Sequence, residues 1–212
     1  SLARNDEQGG IHHGADDNAS GVAAVLAAAE TLKSRPRPRH VALAFWSGEE
    51  IGLVGSGAYV AKPSLALDQL AAYVNFDMVG RLSAGKLAVQ ATGSSPVWPG
   101  LVTKANETAK LTIVQQPDPH LPTDSSSFNQ AGVPTLAFFT GSHEDYHRPS
   151  DVASKIDSAG IDRIASFAIA IVDGLAGEIT PPQFTKVEQT TQGRGGREGM
   201  RISTGTIPDY AP

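Results

Sequence analysis

The chain has 212 residues, with 22 Gly, 14 Pro and no cysteine, and a chain of this length buries about 70% of its unfolded surface in a single domain without disulfides or a structural metal. Absent cysteine excludes disulfide scaffolds, cysteine-ligated zinc, iron–sulfur clusters and thiol nucleophiles, so any metal is held by His, Asp and Glu. The formal charge of −5, from 17 Lys and Arg against 22 Asp and Glu, lacks the clustered positive excess of a nucleic-acid binder, and no apolar run approaches the roughly 20 residues of a membrane span.

Residues 1 to 14 are polar and Gly-rich and read as an entry loop. From Asn18 or Ser20 as N-cap, the stripe Val22, Val25, Leu26, Ala29 and Leu32 predicts a helix that stops before Pro36. The run Val41 to Trp46 predicts a strand buried on both faces of a parallel sheet. Ala71 to Phe76 and Pro134 to Phe139 read the same way, and Lys86 to Ala91 is a weaker fourth strand. Helices are expected over Ile51 to Ala61, Val97 to Ala109 and Ile161 to Leu175. Alternating strands and helices predict an α/β three-layer sandwich with a mostly parallel central sheet.

After Leu175 come Pro181-Pro182 and a polar stretch holding Gly193, Gly195, Gly196 and Gly199, which read as a linker. Residues 1–180 are therefore expected to form the core, with 181–212 the linker and the opening of a further module. The chain opens on Ser1 rather than Met, so a start inside a larger or processed polypeptide is expected.

In open α/β sheets, ligands bind beyond the carboxyl ends of the strands. Glu49 and Glu50 follow the run ending at Trp46, Asp77 follows Phe76, the segment Gly141 to His147 follows Phe139, and Asp16 and Asp17 stand at the entrance to the first helix. Carboxylates converging on one sheet edge repel one another unless a cation sits among them, and an O and N donor set suits a divalent metal. An unpaired carboxylate at Asp77 would be costly to bury. Two adjacent acids, Glu49 and Glu50, let one coordinate while the other handles a proton, the division of labour of metal-assisted hydrolysis. A serine hydrolase is disfavoured because Val54-Gly55-Ser56-Gly57 places its glycines at the wrong offsets. No nucleotide-binding glycine motif occurs.

Four ordered segments resemble the signatures of the two-zinc aminopeptidase family, the bacterial leucyl aminopeptidase type related to glutamate carboxypeptidase and glutaminyl cyclase. They are Gly14 to Gly21, Phe45 to Leu53, Val74 to Gly80 and Tyr146 to Asp151. The resemblance implies that Asp17 bridges two zinc ions, Glu50 and His147 complete one site, Asp77 helps to hold the other, and Glu49 is the general base. It implies a cis peptide between Asp17 and Asn18. Tyr146 either hydrogen-bonds the tetrahedral oxyanion or packs beside the ligand loop. Asp151 either accepts the second ring N–H of His147 or caps a helix, and Asp16 either supports the ligands from behind or caps. His40, His120 and His143 are read as structural or solvent-exposed.

Two departures qualify the match. The family's remaining ligand is a His in a His-x-Asp segment upstream of the bridging aspartate, and none occurs between Ser1 and Asp17. His12 and His13 stand only five and four residues before Asp17 and are the lesser alternative as substitutes; the expectation is a trimmed core that lacks this ligand and holds one zinc or none. Thr123 to Phe128 stands where relatives often carry Ser-Asp-His, leaving Asp124 as a further candidate contributor to the site. The implied function is a zinc-dependent exopeptidase, an aminopeptidase acting on peptides or proteins. A carboxypeptidase, a glutaminyl cyclase and a non-catalytic interaction domain of the same fold are the alternatives. The resemblance also implies export, secreted or periplasmic, and in some members a PDZ module similar over Gly205 to Tyr210. Oligomeric state is not legible.

Overall fold

A computed structural model describes Glu7, residues 9–177 and residues 180–188. The stretch Gly205 to Tyr210, with the PDZ-like opening the resemblance implies, lies outside the described residues. A kinked turn, Ala15–Ser20, with non-helical backbone at Asp17 and Asn18, leads into α1 (Gly21–Leu32). There follow α2 (Val54–Ala61), β1 (Tyr73–Phe76), β2 (Lys86–Gln90), α3 (Trp98–Ala109), β3 (Thr112–Gln115), α4 (Ser125–Gln130), β4 (Thr135–Phe139) and α5 (Ser158–Gly177). The strands form one sheet in the order β1-β4-β2-β3. β1 and β4 run parallel, as do β2 and β3, while β2 and β4 are antiparallel. The α/β fold is as expected, with a mixed sheet.

Side chains alternate across the strands with a period of two. Leu87, Val89, Leu136 and Phe138 point to one face and join Trp98, Val102, Ile164, Phe167 and Ile171 in the main core, so α3 and α5 cover this side. Phe138 meets Phe76 edge-on at 5.2 Å between ring centroids and Phe167 at 5.5 Å. The opposite face carries Ala88, Gln90, Ala137 and Phe139, which border a cavity or its small flanking clusters. On that side Phe128 of α4 stacks on Tyr73 of β1, with centroids 4.0 Å apart and planes 8° apart.

Two expectations are corrected. Val41 to Trp46 forms no strand, and Val41, Leu43 and Phe45 are exposed. A strand buried on both faces needs cover on both faces, and none of the described elements supplies it here. Its far end is nevertheless anchored, because the Trp46 indole N–H donates to the Tyr73 hydroxyl at 3.0 Å. In α1 the buried positions are Gly21, Ala24, Ala28 and Leu32, while Val22 and Leu26 face outward. The small residues let α1 pack closely on α5, which shifts the buried face from the one marked by the larger side chains. The strand β3 and the short helix α4 are additions to the predicted elements.

Candidate metal centre

The ligand-bearing turn begins at Gly14, which has φ of 59°, and a Cβ there would stand 2.5 Å from the Asp17 carbonyl oxygen. Only glycine fits a left-handed position so crowded. The Asp17–Asn18 peptide is cis, as the resemblance implies. Asn18 then closes the turn: its Oδ1 accepts from the Gly21 amide at 3.1 Å and its Nδ2 donates to the Phe76 carbonyl at 2.9 Å. One side chain thus caps α1 and ties the turn to the end of β1, beside Asp77.

Among the described residues, Asp17, Glu50 and His147 bring their ligand atoms within 4.8 Å of one another. The His147 Nε2 lies 2.7 Å from Glu50 Oε1 and 3.0 Å from Asp17 Oδ2. These residues come from three separate segments: the turn before α1, the loop before α2 and the loop after β4. Asp77 and Glu49 stand outside that trio but line the same cavity of about 350 Å³, together with Met78, Leu121, Phe139 and Tyr146. Tyr146 stacks on the His147 ring at 3.8 Å while also bordering the cavity, so packing and access to a ligand are combined in one residue. His12 and His13 are exposed and belong to no such donor group.

The electrostatics of the cavity follow from this crowding. Burial, then the charges of Asp77 and Glu50, push Asp17 from 3.8 up to about 8. Burial, then Asp77, Glu50 and Asp124, push Glu49 from 4.5 up to about 8. Burial, then Glu50, Asp124 and Asp16, push Asp77 up to about 7. Asp124 is also raised, mainly by burial, and its Oδ1 is buried with no hydrogen-bond partner. Tyr146 is raised for the same reason, burial first and then the Glu50 and Asp17 charges, so its hydroxyl keeps its proton. Among the described residues, no Lys or Arg lines the cavity. A divalent cation fits this set: hard and imidazole donors converge, and a positive charge relieves the repulsion among the clustered carboxylates.

Behind the ligands the acids are differently placed. Asp16 is fully buried, with Oδ1 accepting the Gly80 amide at 2.7 Å and Oδ2 facing His143 Nε2 at 2.9 Å. Asp151 Oδ2 accepts the backbone amides of Asp16 at 2.8 Å and Asp17 at 3.1 Å. It therefore clamps the turn carrying Asp17, a role neither sequence alternative named. His143, read from sequence as structural or exposed, has a half-buried ring holding Asp16. Arg81, which ion-pairs with Asp145 and Asp151, was missed. A charged residue four positions after Asp77, behind an apolar strand, was the available signal.

These features match known proteins. The chain is 42% identical over 86 residues to the probable lipoprotein aminopeptidase LpqL of Mycobacterium tuberculosis, covering 40% of this chain and 17% of that protein. It is 30% identical over 172 residues to aminopeptidase YwaD of Bacillus subtilis, covering 75% of this chain and 37% of that one. The solved structure of BSAP, a zinc aminopeptidase from Bacillus subtilis, superposes with a TM-score of 0.68 at 26% identity, over 82% of this chain and 46% of that one. The chain thus spans less than half the length of these relatives. The profile of peptidase family M28 matches residues 3–172, and the chain belongs to that family.

Proposed function

We propose that the chain carries the active-site core of a zinc-dependent aminopeptidase, which removes N-terminal residues from peptides. The observation that carries this reading is the convergence of Asp17, Glu50 and His147, with Asp77 and Glu49 in the same cavity. Asp17, Glu50 and His147 would hold one zinc, and Asp17 with Asp77 would contribute to a second. Zinc, when bound, supplies Lewis acidity that polarises a scissile carbonyl and makes water a stronger acid. Glu49 accepts the proton from the attacking water on its carboxylate and returns it to the leaving amine. The Tyr146 hydroxyl, held protonated, donates to the oxygen on which negative charge develops. Asp16, Asp124 and Asp151 support these groups without reacting.

Met78, Leu121 and Phe139 give the cavity an apolar wall suited to a hydrophobic side chain. A carboxypeptidase needs a positive group to receive the terminal carboxylate, and among the described residues no Lys or Arg lines the cavity, which favours an aminopeptidase. Export fits the same reading: LpqL is by name a lipoprotein aminopeptidase, and no helix among the described residues is long and apolar enough to cross a membrane. The test is Glu49→Gln. It should lower kcat on leucine p-nitroanilide by about 10²- to 10⁴-fold, the range for a general base, while zinc content by atomic absorption stays at the wild-type level. Unchanged kcat in a zinc-loaded variant would refute the assignment.

A further inference from the structure

We infer that Arg81 is a positioning residue for the metal centre, a single guanidinium that holds three ligand-bearing segments in register. The inference rests on the metal reading above. Arg81 lies four residues after Asp77, and its backbone amide donates to the Thr140 hydroxyl at 3.2 Å, just beyond β4. The Thr140 hydroxyl in turn donates to the Met78 carbonyl at 2.6 Å, so the Asp77 loop is fixed to the end of β4.

From that anchor the fork spreads to two carboxylates. Arg81 Nη1 donates to Asp145 Oδ2 and Nη2 to Asp151 Oδ1, each at 3.2 Å. Asp145 immediately precedes Tyr146 and His147, so this bond steadies the loop that presents the imidazole. Asp151 reaches the other way, its second oxygen receiving the amides of Asp16 and Asp17. The Asp77, His147 and Asp17 segments therefore meet through one planar cation. The Asp145 and Asp151 side chains are only 7% and 2% exposed, so water does not replace these bonds. Lys155 occupies the other oxygen of Asp145, leaving that carboxylate fully partnered.

The geometry demands arginine. Two donors fixed in a plane reach two different carboxylates at once, whereas a lysine ammonium is a compact point charge on a flexible stem. Arg81→Lys keeps the charge that the buried acids need and removes the fork. Groups that orient metal ligands from behind are worth about 10- to 100-fold in metal affinity.

The experiment titrates zinc into the metal-free chain in competition with a chromogenic chelator, for wild type, Arg81→Lys, Arg81→Met and the control Arg35→Ala. Arg35 pairs with Asp173 on the surface, far from the ligands in sequence. Folding of each metal-free variant is followed by thermal melting. The expected result is that Arg81→Lys melts near wild type yet binds zinc about 10-fold more weakly, Arg81→Met binds more weakly still, and Arg35→Ala binds as wild type. A folded Arg81→Lys and Arg81→Met that bind zinc as wild type does would overturn the inference. Loss of the fold in both would also overturn it, because Arg81 would then be a stability element. If wild type itself binds no zinc, the metal reading fails, and this inference falls with it.

Discussion

Asp77→Asn is expected to stabilise the metal-free protein at alkaline pH while weakening its hold on zinc. Asp77 moves from 3.8 in the unfolded chain to about 7 in the fold. That is roughly three pKa units, and at 1.36 kcal/mol per unit it amounts to about 4 kcal/mol. The fold prefers the protonated acid, so the contribution is fully present below 3.8 and is lost as pH rises through about 7. Asp17 and Glu49, each raised to about 8, act in the same direction, although the groups share their repulsion and their effects do not add. Asp145 runs the other way: its hydrogen bond from Lys155, then those from Ser150 and Arg81, hold it well below the usual carboxylate range. Its stabilisation is complete above 3.8, so it does not alter the slope between pH 5 and 8. With a chelator present, the urea midpoint of wild type should therefore fall from pH 5 to pH 8. Asn removes the charge while keeping the shape, and at pH 8 the metal-free variant should exceed wild type by about 2 to 4 kcal/mol. Saturating zinc should reverse the ranking, since a ligand that binds only the folded state stabilises by mass action. A wild-type stability that is flat or rising across this window, or a variant no more stable than wild type at pH 8, would refute the electrostatic reasoning.

Other outcomes follow from single side chains. Tyr146→Phe keeps the ring stacked on His147 and removes the hydroxyl; kcat on leucine p-nitroanilide should fall by roughly 10²-fold with zinc content unchanged, as for one oxyanion donor. Phe138→Ala empties a fully buried site between Phe76 and Phe167, and denaturant unfolding should show a loss of about 3 to 5 kcal/mol.

Much of the scaffold was legible because its signals are local. The apolar runs at Tyr73–Phe76 and Thr135–Phe139 and the helical period of Ser158–Gly177 carry their own hydrophobic pattern. The run Val41 to Trp46 carries the same pattern yet forms no strand, because a ladder and a covering layer are properties of neighbours. The phase of α1 was misread for a related reason: close packing against α5 selected Gly21, Ala24 and Ala28 over the bulkier Val22 and Leu26. At the site, residue types in the right order named the cavity acids and the imidazole. Arg81, Asp151 and His143 take their meaning from bonds that span from 64 to 135 positions in sequence, and no spacing rule reaches that far.

The buried acids of this chain divide into two classes by what meets their oxygens. Asp16, Asp145 and Asp151 are buried, yet each is met by amides, a guanidinium, an ammonium or an imidazole. Their charge is answered within the protein, and they build the frame. Asp17, Glu49 and Asp77 line one cavity where, among the described residues, no Lys or Arg stands, and each is pushed toward protonation, Asp17 even with the His147 imidazole 3.0 Å away. Desolvating carboxylates that outnumber their partners is costly, so a fold that gathers these three beside a single imidazole leaves a deficit of positive charge at one point. The adjacent pair Asp16 and Asp17 shows the division most sharply. One backbone turn sends the first side chain into a complete set of hydrogen bonds and the second toward His147 and Glu50, where a cation completes the balance.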